Sequence, residues 1–305
     1  MDIRQLQYLV ALAREKHFTR AASACHVTQP TLSGRIRQLE LELGVPIVER
    51  GQRYQGLTAE GERILKWAQL ILNNWQSMQQ ELTQMTARDS RLTGRLVLGG
   101  IPSALPMIAF LTKDVRNAHP SIDFTVMSMS SEEILRALED FSIDAGITYL
   151  DNEPIVGLLT APLYQERYCL FVTETHPLAS REAVSWEEAS RERLCLLTSN
   201  MQNRRIIDRA FRTADCRPMP ELETNSVINL CANVRLMGLA SIMPDYIQEI
   251  LGPHSGIKAI PLNAPVVAHA VGLVALNRDP LAPLIRALLE AAKSVKPHTG
   301  TSAVH

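Results

Sequence analysis

The sequence predicts a mixed-class protein, with an all-helical N-terminal part, one long linking helix and a C-terminal α/β part. Three observations predict this order. Residues 1–58 contain short helical patterns broken by turn residues, and residues 59–87 contain no proline and a single glycine, Gly61. From residue 92 onward strand and helix patterns alternate, and most of the prolines lie there. We therefore expect three segments, 1–58, 59–91 and 92–300.

Composition places the chain among ordinary globular proteins. Of 305 residues, 46% are hydrophobic and 21% are charged, and no run approaches the roughly 18–20 apolar residues that cross a bilayer. The N-terminus is an amphipathic pattern without the apolar centre of a secretion signal, so we expect a cytoplasmic protein with no membrane partner. The formal net charge is −1, and residues 1–58 hold eight Lys and Arg against five Asp and Glu. This surplus indicates a nucleic-acid partner only weakly.

The five cysteines are odd in number and show no CxxC spacing. In a reducing compartment such cysteines are typically buried thiols. A thiol switch among Cys195, Cys216 or Cys231 is the alternative.

Two short helices joined by a tight turn are predicted next to the N-terminus. The first covers residues 17–25, with Thr19 as its expected N-cap. Residues 26–28 form the turn, and Thr28 caps the second helix, which ends at Gly44. Alanines and a serine on the first helix leave room for the two helices to approach closely.

The second of these helices has two chemically different faces. One face is apolar, with Leu32, Ile36, Leu39 and Leu43 at steps of four, three and four. The other face carries the candidate DNA contacts Gln29, Pro30, Thr31, Ser33, Arg35 and Arg37. Gln pairs with adenine edges, Arg with guanine or phosphate, and Ser or Thr with either, as a helix in the major groove requires. On periodicity alone, the solvated face of an ordinary helical hairpin is an equal alternative.

The linking helix carries a regular apolar seam. Thr58 is its expected N-cap, and Glu60 lies in its first turn, where the helix dipole favours a carboxylate. The seam runs at spacings of 4, 3, 4, 3, 4 and 3 through Ile64, Ala68, Ile71, Trp75, Met78, Leu82 and Met85. A narrow heptad stripe on an otherwise polar helix predicts a dimer interface. A core helix of a globular domain is the alternative.

The C-terminal part alternates between strand and helix patterns. Strand patterns cover residues 96–100, 122–129 and 143–149, similar alternation continues to residue 243, and a last strand pattern covers 270–276. Such alternation predicts a parallel sheet covered by helices, arranged in two lobes with a cleft between them.

Small polar residues follow several of these strands, namely Ser103, Ser130, Thr148 and Thr198. A hydroxyl beside the free N–H groups of a helix N-terminus is a site for a carboxylate or a phosphate. We therefore expect these residues to bind a small anionic metabolite, whereas simple helix capping is the alternative for each of them.

The N-terminal segment resembles the signature of the LysR-type transcriptional regulators. The matching residues stand in register over residues 18–65 and are Ala21-Ala22, Thr28-Gln29-Pro30, Ser33, Ile36-Arg37, Leu39-Glu40, Leu43-Gly44, Glu49-Arg50, Leu57-Thr58 and Gly61. The order of domains and the chain length agree with this family as well.

The resemblance implies a winged helix-turn-helix, with the helix-turn-helix at residues 18–37 and the wing at 45–58. It implies that Gln29, Pro30 and Ser33 approach the major groove, that Arg53 enters the minor groove and that Arg50 lies near the phosphates. Two residues depart from the family pattern, Gly34 where a long polar residue is usual and Val48 where Phe is common. Base recognition is therefore expected to depend on Gln29, Arg35 and Arg37.

For the C-terminal part, the resemblance implies a two-lobed, periplasmic-binding-protein-like effector domain. Lobe one is expected at residues 92–162 and 268–300, and lobe two at 163–267. The pocket positions implied by the family are the strand-end residues named above, with Asn225 as a neighbour.

Other classes of protein find little support in the sequence. It contains no GxSxG elbow, P-loop, HExxH or GxGxxG motif, and its histidines lack the spacing of metal ligands, so we expect no enzyme, cofactor or metal. A solute-binding protein with an N-terminal extension and an α/β enzyme with a regulatory head are the rival hypotheses. The expected partners of a bacterial regulator of this kind are double-stranded operator DNA, a small-molecule effector and further copies of the chain in a dimer or tetramer. RNA polymerase is an additional candidate partner.

Overall fold

The computed structural model describes residues 1–49, 54–86, 91–151 and 155–294. It divides into two compact units, Met1–Ser90 with Asp140–Ser142 and Arg91–Glu139 with Ile143–His305. We call these the N-terminal unit and the C-terminal unit. Within the described residues, no helix is long and apolar enough to span a membrane.

The described part of the N-terminal unit is built from four helices, α1 (Ile3–Glu15), α2 (Phe18–Ala24), α3 (Gln29–Leu43) and α4 (Ala59–Thr86). Asp2 caps α1 in a capping box with Gln5, and the side chain of Thr28 accepts a hydrogen bond from the amide of Thr31 at the start of α3. Gly44 ends α3 with φ 74°, a left-handed conformation that favours glycine. A bridge between Val48 and Leu57 closes the wing.

The cap predicted for α2 is wrong. Thr19 lies inside the helix as its second residue, and the N-cap is His17. His17 has extended backbone angles, and its Nδ1 accepts a hydrogen bond from the amide of Thr19 at 3.2 Å. The imidazole of His17, and not the hydroxyl of Thr19, therefore caps α2.

Small apolar cores hold this unit together. One joins α1, α2 and α3 through residues that include Leu12, Ala21 and Leu32. Another joins α1, α3 and α4 and includes Leu39 and Ala68. The amphipathic patterns of α1 and α3 thus face the same interior, as their periodicity predicts.

The apolar seam of α4, which was predicted to be a single dimer interface, is divided into two halves with different surroundings. Ala68 is 1% exposed, and Ile64 and Ile71 pack beside it against residues of the chain's own N-terminal unit. These three side chains serve the core because α1 lies along the first half of α4. The second half of the seam, formed by Trp75, Met78, Leu82 and Met85, is between 40% and 74% exposed.

The described residues of the C-terminal unit form ten strands. In chain order they are β1 (Thr93–Gly100), β2 (Ser121–Ser128), β3 (Ala145–Tyr149), β4 (Leu158–Thr173), β5 (Val184–Ser185), β6 (Leu194–Leu197), β7 (Leu222–Thr224), β8 (Ala240–Pro244), β9 (Ile257–Asn263) and β10 (Ala268–Leu276).

In the same part of the chain, seven helices alternate with these strands and cover them. They are α5 (Leu105–Ala118), α6 (Ser131–Glu139), α7 (Trp186–Ser190), α8 (Gln202–Thr213), α9 (Val227–Met237), α10 (Ile247–Leu251) and α11 (Pro283–Ser294). A large core of buried side chains runs through the unit from Leu92 to Ala292.

The sheet order is β2-β1-β3-β10-β4-β8-β6-β7, and β9 pairs with β4 and β5. The pairings β1–β2, β1–β3, β6–β7 and β6–β8 are parallel, as the alternation predicted. The centre differs, because β10 pairs antiparallel with β3 and β4, and β4 pairs antiparallel with β8 and β9. The long strands β4 and β10 thus run antiparallel through the centre of the sheet. They join the parallel strands β1, β2 and β3 on one side to the parallel strands β6, β7 and β8 on the other.

The crossing strand β4 changes its partners along its length. Its residues from Leu158 to Arg167 pair with β10, and those from Tyr168 onward pair with β8 and β9. The change of partner falls five residues beyond the predicted lobe boundary after Pro162, and that boundary stays a prediction. We call the half with β1, β2 and β3 the first half, and the half with β6, β7 and β8 the second half.

Candidate functional site

The first candidate site is the pair α2–α3. The turn between them contains His26 at φ 55°, a left-handed conformation that directs the chain sharply from one helix into the next. Ala21 and Ala22 are buried against α3, so small side chains allow the close approach. The turn and the alanines together fix the direction in which α3 projects.

Most of the polar face predicted on α3 is exposed. Gln29, Pro30, Thr31, Arg35 and Arg37 are exposed, and Ser33 is half-buried. The opposite face, with Leu32, Ile36 and Leu39, is almost completely buried. A helix that is anchored along one side and carries amide, hydroxyl and guanidinium groups on the other has the form needed to enter the major groove.

Two residues of this face already have partners within the chain. The hydroxyls of Thr31 and Thr28 form a hydrogen bond at 2.8 Å, which makes Thr31 part of the helix cap. Arg35 forms an ion pair with Asp2 at 3.6 Å, with both side chains about half exposed. Such an exposed pair contributes little to stability, so the Arg35 guanidinium can exchange Asp2 for a phosphate at small cost.

Gly34 lies on the exposed side of α3. A Cβ at this position would meet no atom within 4 Å, so neither close packing nor a special backbone angle requires glycine here. The missing side chain leaves a gap in the polar face between Ser33 and Arg35.

The start of the wing is held by Glu40, a residue to which the sequence pattern assigned no role. Its Oε1 accepts hydrogen bonds from the backbone amides of Ile47 at 2.7 Å and Val48 at 3.0 Å. Thr58 closes the other end, since its hydroxyl donates to the carbonyl of Pro46 at 2.7 Å and accepts from the amide of Gly61 at 2.9 Å. The predicted DNA contacts Arg50 and Arg53 lie outside the described residues.

The second candidate site is a cavity of about 960 Å³ in the C-terminal unit. Pro102, Met129 and other residues of the first half line it together with residues of the second half, among them Met201 and Ile247. Of the predicted effector contacts, Thr198 and Asn225 line this cavity, and Ser103, Ser130 and Thr148 do not.

Ser130 and Thr148 are used inside the protein. The Ser130 hydroxyl accepts from the amide of Glu133 at 3.3 Å, and its own amide donates to the Glu133 carboxylate at 2.7 Å, which together cap α6. The Thr148 hydroxyl donates to the hydroxyl of Ser131 at 2.9 Å. Ser130 therefore caps a helix, which was the alternative to effector binding for these residues.

The charged groups that line the cavity are acidic. None of its described lining residues is Lys, Arg or His, whereas Glu133 and Glu223 are among them. Glu223 pairs with Arg204, whose Nε also bonds Asp208 at 2.8 Å and whose Nη1 donates to the carbonyl of Leu197 at 2.9 Å. The described lining therefore offers an anionic ligand no positively charged side chain.

A buried polar group, which we call the Glu166 cluster, lies in the middle of the unit. Its members are Ser103, Tyr149, Tyr164, Glu166, Tyr168, Asn203 and Tyr246, and each is at least nine-tenths buried. Tyr164, Glu166 and Tyr168 stand at alternate positions of β4, which places their side chains on one face of the strand. The rings of Tyr164 and Tyr246 pack edge to face, with their centroids 5.4 Å apart.

One oxygen of the Glu166 carboxylate is fully occupied. Its Oε1 accepts from the hydroxyls of Tyr149 at 2.5 Å and Tyr168 at 2.9 Å, and from the Asn203 amide at 3.4 Å. Burial raises the pKa of Glu166, and these hydrogen bonds lower it. Apart from Ser103, the cluster was not predicted, because its members are spread over 144 positions; only the run Tyr164-x-Glu166-x-Tyr168 was available as a signal.

Most of the thiols are protonated at neutral pH. Burial raises the pKa of Cys195 to about 11 and that of Cys169 to about 12. Burial also raises the pKa of Cys25 and Cys231. Cys231 lines the cavity, and its Sγ lies 3.9 Å from the sulfur of Met243.

Comparison with known proteins assigns both units. Residues 3–62 match the bacterial regulatory helix-turn-helix of the lysR family, and residues 89–296 match the LysR substrate-binding domain. The hydrogen peroxide-inducible genes activator of Haemophilus influenzae is 29% identical over 283 residues, which are 92% of each chain.

Solved structures have the same fold. A cysteine-to-aspartate variant of full-length OxyR from Pseudomonas aeruginosa has a TM-score of 0.77 at 27% identity, covering 97% of this chain and 99% of that one. Full-length CbnR in complex with its target DNA has a TM-score of 0.69 and covers 97% and 100%, and at 19% identity this likeness concerns the fold alone.

Proposed function

Because the chain belongs to the LysR family of bacterial regulatory helix-turn-helix proteins, we propose that α3 binds operator DNA and that a small molecule in the C-terminal unit adjusts this binding. The chain is accordingly a ligand-responsive, DNA-binding transcription regulator. The observation that carries the DNA contacts is the exposed face of α3, on which Gln29, Ser33 and Arg37 recur at steps of four.

Operator binding tests this assignment directly. In fluorescence anisotropy titrations on a matched and a mismatched operator, Gln29→Ala should reduce the preference for the matched site by about 1–3 kcal/mol. Arg37→Ala should weaken binding and lower its salt dependence if Arg37 contacts a phosphate. Arg212→Ala, which removes an exposed arginine of α8, is the matched control. Unchanged affinity and preference in both α3 variants would exclude this face as the DNA-binding surface.

The exposed half of the α4 seam supports self-association as a dimer or tetramer. Trp75, Met78, Leu82 and Met85 form an apolar stripe at steps of 3, 4 and 3 that the N-terminal unit itself does not cover. Leu82→Glu should shift the mass measured by light scattering toward the monomer, whereas Gln79→Glu adds the same charge outside the stripe and should not. A monomeric wild type would contradict the proposal.

The cavity of the C-terminal unit is the proposed effector site, with Thr198 and Asn225 in its wall. Its volume suits a small metabolite. The anionic character predicted from strand-end hydroxyls stays a prediction, and the acidic lining weighs against it. A thermal-shift screen of carboxylates, phosphates, sugars and amines would test this, with Thr198→Val expected to reduce the shift of a true ligand.

The thiols of Cys195 and Cys231 support an effector other than peroxide, although the relatives from H. influenzae and P. aeruginosa are named for hydrogen peroxide and OxyR. The thiolate is the form that peroxide oxidises, and the raised pKa values of Cys195 and Cys231 keep both thiols protonated. Treating the reduced protein with hydrogen peroxide should leave its operator affinity unchanged. A peroxide-dependent change that Cys231→Ser abolishes would show that a thiol is the sensor.

We assign the chain no catalytic role, since the two candidate sites present a DNA-binding surface and a binding cavity. A cytoplasmic location and contact with RNA polymerase follow from the proposed role at promoters. The rival solute-binding protein is disfavoured because the helix-turn-helix matches its own family model.

A further inference from the structure

The Glu166 cluster contains an unusual number of buried polar atoms without partners. Among the described residues, no hydrogen bond of good geometry reaches Glu166 Oε2, Ser103 Oγ or the hydroxyls of Tyr164 and Tyr246, although the two tyrosine hydroxyls lie close enough to affect each other's pKa. Buried polar atoms are almost always paired in native proteins, so four in one cluster require an explanation. A bound group that the chain itself does not provide would supply the missing hydrogen bonds.

These four atoms belong to one place. Burial is the main cause that raises the pKa of Tyr164 and Tyr246, and the charge of Glu166 raises both further, which requires that Glu166 lie close to them. The Ser103 hydroxyl lies near enough to lower the pKa of Glu166, although it is not in hydrogen-bonding geometry with it. Since Tyr164 and Glu166 also stand at alternate positions of β4 and the Tyr246 ring packs on Tyr164, the unpaired oxygens lie in one buried region around Glu166.

The existing bonds indicate which partner is missing. Two tyrosine hydroxyls donate to Oε1 at 2.5 and 2.9 Å, so this oxygen acts as an acceptor. The tyrosine and asparagine partners of Oε1 are neutral, so none of them compensates the buried charge. When Glu166 is ionised, its Oε2 lacks a hydrogen-bond donor, and the groups that bond its Oε1 are neutral.

The cluster is also built from both halves of the unit. Ser103 and Tyr149 come from the first half, and Asn203 and Tyr246 come from the second half. Pro102, Met201 and Ile247, each within two residues of a cluster member, line the cavity. The elements that form the cavity thus also carry the cluster, and a ligand group at Oε2 would contact both halves at once.

We propose that the Glu166 cluster binds a protonated nitrogen group, such as the ammonium or guanidinium group of a small effector, with Glu166 Oε2 as its charged acceptor and the hydroxyls of Ser103, Tyr164 and Tyr246 around it. This inference rests on the proposed effector-binding role of the C-terminal unit. It gives the effector a charge opposite to that of the predicted anion. Because the site joins the two halves, its occupancy favours one placement of them, as a ligand-driven change in DNA binding requires.

Simple ammonium compounds provide the test. The full-length protein is titrated with methylammonium chloride and guanidinium chloride by calorimetry and thermal shift, against sodium chloride, sodium acetate and methanol at matched concentration. The expected result is saturable binding of the cations only. Glu166→Gln should weaken this binding by at least about tenfold, since it removes the charged acceptor and leaves the shape.

Two further variants separate a ligand role from a structural one. Tyr246→Phe removes a hydroxyl that has no partner in the described part of the protein, so it should weaken cation binding without lowering the melting temperature. Glu182→Gln removes an exposed carboxylate of the same unit that does not line the cavity, and it should leave cation binding unchanged.

Binding of cations that is equal in wild type and Glu166→Gln, binding of acetate in place of cations, or no saturable binding at all would each overturn the proposal. The last outcome would mean that ordered water alone completes the cluster. Operator binding of the ligand-free protein is measured in parallel. If it is intact, a failure of the cation titration overturns this inference and leaves the proposed regulator function standing, whereas loss of operator binding would count against that function.

Discussion

The two units place their functional groups in opposite ways. In the N-terminal unit, the candidate DNA contacts on α3 share one face of that helix, within nine residues of the chain. In the C-terminal unit, the Glu166 cluster is buried and is assembled from separate segments of the chain. The loss of a DNA-contacting side chain of α3 should therefore change binding with little effect on stability, whereas the loss of a hydrogen-bonded member of the cluster should change both. Substitutions in each unit can test this contrast.

The exposed surface of the N-terminal unit depends on a few tight internal contacts, and one of the tightest is at Gly61. A Cβ at this position would overlap the carbonyl oxygen of Ile47, which is backbone and cannot rotate away. Gly61→Ala should lower the free energy of unfolding of the N-terminal unit by about 2–3 kcal/mol. Urea denaturation monitored at the helical signal measures it, and Ala59→Gly on the same helix is the control. A loss of less than about 1 kcal/mol would show that α4 can move away from Ile47 at little cost in stability.

Glu40 should contribute a smaller amount. Glu40→Ala removes the acceptor of the Ile47 and Val48 amides, so the unit should lose about 1–2 kcal/mol and bind operator DNA more weakly because the start of the wing is released. Denaturation and anisotropy titrations measure the two effects, with Glu60→Ala as a control at an exposed position. Normal DNA affinity in a destabilised Glu40→Ala protein would separate the wing from recognition.

Gly34 offers a change in the other direction. Since nothing lies within 4 Å of an added Cβ, Gly34→Ala should stabilise α3 by about 0.5–1 kcal/mol through helix propensity alone. Operator affinity should remain the same, because alanine adds no hydrogen-bonding group. A loss of affinity in calorimetric or anisotropy measurements would mean that DNA approaches the backbone at this position and that glycine is needed for contact.

The smallest effect is expected from the pH dependence of the Glu166 cluster, because hydrogen bonds offset part of the effect of burial. The pKa of Glu166 is raised in the folded state, so its protonated form is favoured there. Its contribution to stability is present below the ordinary carboxyl pKa of about 4.3 and is lost as the pH rises through the folded value.

The unfolding free energy of wild type minus that of Glu166→Gln should therefore fall as the pH increases from about 4. Asp144 and Asp245, whose pKa values burial also raises, are present in both proteins and cancel in this difference. Chemical denaturation across a pH series measures it. A difference that grows with pH would show that the folded state favours the ionised carboxyl.

The two units differ in how far local patterns predict them. The helix boundaries, the tight turn and the two faces of α3 follow from cap residues and periodicity within about 30 positions, and the family match agrees with them. The cap at His17 was missed because an imidazole is an uncommon acceptor at that position. The seam of α4 was predicted to be one interface because periodicity identifies an apolar face and does not identify what covers it.

The sequence by itself determined the family, the order of the two units and the polar face of α3, because each depends on residues close together in the chain. Only the tertiary structure decided that Ser130 and Thr148 make internal hydrogen bonds, that the crossing strands are antiparallel and that Glu166 gathers six other polar residues around it. The physical reason is that burial and hydrogen-bond partners arise from contacts between distant segments. Whether a hydroxyl caps a helix, lines a cavity or lies unpaired beside a carboxylate depends on those contacts.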